Sequence, residues 1–227
     1  MEIKGLKLKE TYLSKFHFSH GLEISLGFIF LIILFSNLYW ENWWGLSPYL
    51  SATPQKVFAQ SEYWRAWTTT LIHADIQHMI SNCLMLFLWG TLNTYYFGPF
   101  FYPFVSFFLN GFITLLVLFF QGKHITLLGS SGLIYFLGGH WISLYVLIDK
   151  KTPFSRRIFK SFAVILILFL PTHFSRNISY LSHNLGLIGG LLYGVFHYLL
   201  KKKAFIRKET WVEAPEENDN DPLENIQ

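Results

Sequence analysis

Runs of about 20 residues with almost no charge recur along the chain, and they constrain its fold more than any other feature. Twenty helical residues at 1.5 Å each span about 30 Å, the thickness of a bilayer's hydrocarbon core. In lipid each backbone amide must be bonded within its own helix, so unbroken apolar runs imply helices. A transmembrane β-barrel would instead show alternating strands of about ten residues. Only 14% of the 227 residues are charged and 52% are hydrophobic, against about 25% charged in soluble domains. The sequence therefore predicts an all-α membrane protein with room for one membrane domain.

Six spans are predicted, at about 21–39, 66–90, 99–120, 127–148, 158–172 and 178–200. The connection at 41–65 is rich in Trp and Tyr, which collect at membrane interfaces. With six spans both termini share a side. Fourteen of the 18 Lys and Arg fall on that side and four (Lys56, Arg65, Lys123 and Arg176) on the other. The positive-inside rule then places both termini in the cytoplasm, in the inner membrane if the cell is bacterial. The expected division is a cytoplasmic segment at 1–20, a membrane domain at 21–200, and a basic then acidic disordered tail at 201–227. Seven of the 14 acidic residues lie after Lys208, in a segment poor in apolar residues. The first apolar run is too long for a cleaved signal peptide. Cys83 is the only cysteine, which excludes an intramolecular disulfide and fits an inert core thiol. The basic residues follow the topology, so no nucleic-acid partner is expected.

Polar side chains within spans are costly and mark function. The second span carries His73, His78 and Asn82; the fourth carries Ser131, Tyr135 and His140; the sixth carries Ser182, His183, Asn184 and His197. These spans all enter from the outer side. His78 falls about a dozen residues in, fewer if its helix starts late, while Ser131 and His183 fall four or five residues in. His140 lies about 13 Å deeper than Ser131, and His197 about 21 Å deeper than His183. One serine and several histidines thus share a level, a nucleophile–base constellation. Ser131 sits in Gly129-Ser130-Ser131-Gly132, where a helix N-terminus offers amides to an oxyanion. His183, Gly186, Gly190 and Gly194 share a helix face that permits close packing. His78 and Asn82, four apart, also share a face and could donate to an oxyanion. On spacing alone, His183 and His78 are both candidates for the base. There is no His-Glu-x-x-His zinc motif, phosphate loop or paired intramembrane carboxylate, so no metal or cofactor is expected.

Together these residues resemble the rhomboid family of intramembrane serine proteases, in chain order over about 64–194. Trp64-Arg65 is similar to the family's first-loop pair, and His73, His78 and Asn82 to its second-span pattern. Gly129-Ser130-Ser131-Gly132 resembles the G-x-S-G motif, which selects Ser131 over Ser130. Tyr135 matches a tyrosine that packs on the catalytic histidine, and His183-x-x-Gly186-x-x-x-Gly190 matches the base motif. The resemblance implies a six-transmembrane-helix rhomboid-like bundle of minimal form. It implies a Ser131–His183 dyad acting through an acyl-enzyme, with the oxyanion held by His78, Asn82 and the Ser131 amide. Trp64, Arg65 and His73 would be structural, and the fifth span and residues 174–180 would move to admit substrate. The implied substrates are single-span membrane proteins cut in or near the transmembrane segment; nothing indicates the oligomeric state. The alternatives are a catalytically inactive rhomboid-like protein that binds membrane clients, and a transporter with a polar cavity. The first would be marked by loss of the serine or histidine, and the second by charged groups near the midplane.

Overall fold

The computed structural model describes residues 2–3, 5–122, 125–169 and 179–213. Its frame is a bundle of six long helices: α1 (Gly21–Trp40), α4 (Ile76–Phe97), α5 (Ser106–Phe120), α6 (Ser131–Ile148), α7 (Phe154–Phe169) and α8 (Tyr180–Ile206). Two single turns, α2 (Ser47–Leu50) and α3 (Arg65–Thr68), lie in the first long connection. Three helical stretches are each long and apolar enough to cross a membrane: Gly21–Trp40, Phe100–Phe120 and Ser131–Ile148. A fourth arises if Arg65–Leu71 and Ile76–Phe97 count as one broken span.

The second predicted span needs correction. Residues 65–71 are apolar enough to continue the run, but they bend by 94° from α4. Asp75 ends the break: its backbone is extended and its carboxylate accepts from the His78 amide at 2.8 Å, an N-cap. α4 therefore begins about ten residues later than predicted. Arg65 stabilises the turn before it. This side chain is buried, with Nε bonded to Glu62 at 2.6 Å and Nη1 donating to the carbonyls of Pro48 and Ser51. A buried guanidinium must satisfy its donors, and these three bonds do so on Nε and Nη1. Trp64 is half exposed and lies within 6.0 Å of that guanidinium.

α6 is central, with every residue from Gly132 to His140 buried. Its tightest neighbour is α8. A Cβ on Gly186 would lie 2.5 Å from the Gly132 carbonyl oxygen, and one on Gly194 would lie 2.7 Å from the Ser143 Cβ. Gly190 is pressed as closely against the Phe136 carbonyl. Backbone thus meets backbone along three turns, which only glycine on α8 allows. Deep in this core Asn93 and His140 are fully buried, and the His140 Nδ1 lies 2.7 Å from the Asn93 Oδ1. His140 Nε2 in turn lies 2.9 Å from His197 Nδ1. These two histidines satisfy one another, far from Ser131, as their depth predicts.

The ends of the chain differ from expectation. α8 runs on through Lys201–Lys203, because lysine is a good helix former and needs no lipid. β1 (Glu2–Ile3), β2 (Leu6–Glu10) and β3 (Thr210–Glu213) form an antiparallel sheet in the order β1-β2-β3. Leu8 faces Trp211 in that register and is buried. Part of the segment expected to be a disordered tail is therefore a strand; residues 214–227 lie outside the described part. Tyr12 anchors this layer, donating to the Tyr96 carbonyl at 2.7 Å and packing edge-on against Phe205.

Candidate active site

The site forms where three helices begin. Ser131 is the first residue of α6, His78 lies in the first turn of α4, and His183 in the first turn of α8. The late start of α4 brings His78 closer to the level of the other two than its expected span did.

Gly129 turns the chain into α6 with φ +114°, a conformation that side chains rarely adopt. Its loop is held by the Gly129 amide donating to the Thr69 carbonyl at 3.0 Å and by the Leu127 amide donating to Ala52 at 2.8 Å. Thr69 Oγ1 donates to the Leu127 carbonyl as well. Above this loop lie His78 and Asn82. A Cβ on Gly129 would be 2.9 Å from the His78 ring and 3.4 Å from the Asn82 amide nitrogen. Glycine is therefore needed here both for its backbone angle and for the space these two side chains occupy.

His73 organises the floor. Its Nε2 lies 3.0 Å from Asn82 Nδ2 and 3.3 Å from the Ser130 amide, both donors. Nε2 must therefore be the unprotonated nitrogen, and Nδ1 carries the proton toward Ser36 Oγ at 3.3 Å. Trp40 Nε1 donates to the His73 carbonyl at 2.8 Å. His73 is fully buried and satisfied on both nitrogens. Ser36 and Trp40 were not singled out from sequence. A polar side chain in an apolar span was the available signal for Ser36, and Asn110 gave the same signal. Asn110 donates to Thr70 at 2.9 Å and faces Gly132.

The two serines of the motif differ sharply. Ser130 is fully buried, with its hydroxyl 3.4 Å from His73 Nε2. Ser131 is part exposed and lines a cavity of about 420 Å³ together with His78, Gly129, Ser179 and Ser182. At the head of α6 the Ser131 amide has no acceptor within its own helix. The close Gly132–Gly186 contact sets α8 against α6. His183 lies one turn above Gly186, is 3% exposed, and stacks on Tyr135 with ring centroids 4.1 Å apart. Gln121 ties the head of α8 to the end of α5 through Ser179 at 2.9 Å. Among the expected moving residues, 170–172 and 174–178 lie outside the described part. No group of three or more metal-ligating side chains occurs among the described residues.

The Rhomboid domain family matches residues 60–199 of the chain. The chain belongs to the rhomboid family. It is also 32% identical over 155 residues to the Rhomboid protease GluP of Bacillus subtilis (strain 168), a match that takes in 68% of this chain and 30% of that rhomboid. The chain thus spans less than a third of the length of that relative. Family membership and the apolar helices together make it an integral membrane protein.

Proposed function

We propose that this rhomboid is an intramembrane serine endopeptidase that cleaves transmembrane segments of single-span membrane proteins. The observation that carries the reading is the contrast within the motif: Ser131 opens onto the cavity beneath His78 and Asn82, while Ser130 is buried against His73. In this reading all six long helices span the bilayer, with the termini and their sheet on the cytoplasmic face and the cavity opening outward.

His183 takes the proton from the Ser131 hydroxyl as Oγ bonds to the scissile carbonyl carbon. The carbonyl oxygen becomes an oxyanion held by the Ser131 amide, Asn82 and His78. His183 then passes its proton to the leaving amine and the peptide bond breaks, leaving an acyl-enzyme on Ser131. Water from the outer side loses a proton to His183, attacks the ester, and restores Ser131. Tyr135 holds the imidazole plane throughout, and His73 fixes Asn82. The substrate helix must unwind locally, because its carbonyls are otherwise engaged in their own hydrogen bonds.

The test is cleavage of a single-span substrate by purified wild type, Ser131→Ala, Ser130→Ala and His183→Ala. Loss in Ser131→Ala and His183→Ala with turnover kept in Ser130→Ala is the expected result. Turnover surviving in Ser131→Ala would refute the nucleophile. Capture of substrate without cleavage by the wild type would point to the client-binding alternative.

A further inference from the structure

At the end of the bundle opposite Ser131, two cavities adjoin. One, of about 360 Å³, is lined by Lys150, Thr152, Pro153, Phe154 and Arg157 at the α6–α7 connection. The other, of about 340 Å³, is an apolar groove between α6, α7 and α8, walled by Ile142, Phe162, Ile165, Leu191 and Val195. Val146 and Leu147 line both, so the mouth adjoins the groove. The outer wall faces lipid: Ile158 is 45% and Phe162 56% exposed.

Three polar groups along this path have no hydrogen-bond partner among the described residues. Arg157 Nη1 donates to the Val146 carbonyl, which fixes the guanidinium at the mouth and leaves its buried Nε–H without an acceptor. Thr152 Oγ1 is likewise buried and without a partner beside it. Ser161 is 6% exposed and lines the groove together with Ser143; its buried hydroxyl is also without a partner. Buried donors are normally satisfied, so each asks for a ligand. Ser161 is one turn beyond Arg157 on α7, about 6 Å along the axis. A glycerophospholipid separates its phosphate from its ester carbonyl by a similar length. Lys151, Arg156 and Lys160 add positive charge around the mouth. Of the acids at this end, Glu209 is held by Lys150 at 2.7 Å and Glu10 by Lys15 at 2.9 Å, Glu213 is exposed, and Asp149 has one buried carboxylate oxygen without a partner among the described residues.

We propose that this groove binds one anionic phospholipid, with its phosphate on Arg157 and Thr152, an ester carbonyl on Ser161, and an acyl chain between α6, α7 and α8. A bare phosphate would leave the groove and Ser161 unused, whereas lipid is the solvent against this surface. Basic pockets between helices on the cytoplasmic side are suited to such headgroups.

The test is native mass spectrometry of the full chain in detergent, with added phosphatidylglycerol or phosphatidylcholine. Wild type should retain phosphatidylglycerol about tenfold better than phosphatidylcholine, because the choline cation of the latter opposes the positive charge of Lys151, Arg156 and Lys160. Arg157→Gln should weaken retention of both lipids by removing the phosphate contact. Ile165→Trp, which fills the groove without touching the mouth, should release both lipids. Should Arg157→Gln fold poorly, Thr152→Val reads the same contact. Equal retention of the two lipids by wild type would overturn the proposal, as would retention unaffected by Ile165→Trp. So would displacement by millimolar inorganic phosphate, which would indicate a bare anion site.

Discussion

Adding one methyl group at Gly186 tests the link between helix packing and the dyad. The new Cβ would lie 2.5 Å from the Gly132 carbonyl oxygen and 3.1 Å from the Tyr135 Cβ. Both obstacles belong to the backbone or base of α6, so no rotamer change relieves them. Restoring an ordinary contact of 3.4 Å requires α6 and α8 to part by about 0.9 Å at this level. Overpacking of this kind costs about 1–3 kcal/mol, and the better helix propensity of alanine returns about 1 kcal/mol. The stability loss in Gly186→Ala should therefore be at most about 2 kcal/mol, a fall of a few degrees in the thermal midpoint. Catalysis should suffer far more, because Gly132 adjoins Ser131 and Gly186 is one turn from His183. A displacement near 1 Å between reacting groups costs about 100-fold in rate. The assay is kcat for cleavage of a single-span substrate, beside thermal unfolding in the same detergent. Gly189→Ala is the control: its Cβ would meet only the Ile113 Cδ1 at 3.0 Å among close atoms, the movable tip of a side chain. That variant should keep kcat within about twofold, and it gains helix propensity. Wild-type kcat in Gly186→Ala, or equal damage in Gly189→Ala, would refute the reasoning.

Other substitutions probe separate parts of the molecule. Asn82→Ala should lower turnover by about 100-fold, since one oxyanion donor contributes about 3 kcal/mol; turnover like that of the wild type would remove Asn82 from the site. Asn93→Leu deprives His140 Nδ1 of its acceptor in a fully buried setting, which should cost about 1–3 kcal/mol in unfolding measurements. Its kcat should be unchanged where the protein is folded, and a fall in kcat without loss of stability would tie this inner pair to catalysis. Burial pushes the Tyr12 phenol up to about 12, above the ordinary value of 10. Its contribution to stability is thus complete below pH 10 and lost as pH rises toward 12, because the unfolded chain ionises first. Alkaline unfolding curves of wild type and Tyr12→Phe should therefore converge over that window, and parallel curves would show that Tyr12 has no part in the slope.

Much of the bundle is legible in the sequence, because hydropathy runs are long and caps are local. The starts of α1 and α8 lie within two residues of prediction, at Gly21 and Tyr180. The second span was misplaced because hydropathy does not register a 94° bend. The cue was present in Asp75, a capping residue with its partner amide three positions on at His78. α7 starts at Phe154, four residues before the predicted limit, because Pro153 precedes the helix and its charged first turns carry no hydropathy signal. The sheet of β2 and β3 joins residues some 200 apart in the chain, a pairing that no local pattern encodes. At the candidate site the residue types and their level were readable, but the contacts holding them were not. Ser36 and Trp40 reach His73 only through the crossing of α1 with the turn before α4.

The polar groups of the bundle fall into two layers that obey the same rule with opposite results. In the inner layer Asn93, His140 and His197 close on one another, so burial leaves them no unmet demand. In the outer layer His73 absorbs the Ser130 amide and one hydrogen of Asn82, and Asp75 absorbs the His78 amide. What remains at the cavity is the His78 ring together with the Ser131, Ser179 and Ser182 side chains. Buried donors in a low-dielectric site interact strongly with a charge that appears among them. The capping and bridging bonds therefore narrow the site: they engage Ser130 and the loop amides, and in the proposed mechanism Ser131 is the hydroxyl beside which a tetrahedral oxyanion would find its donors.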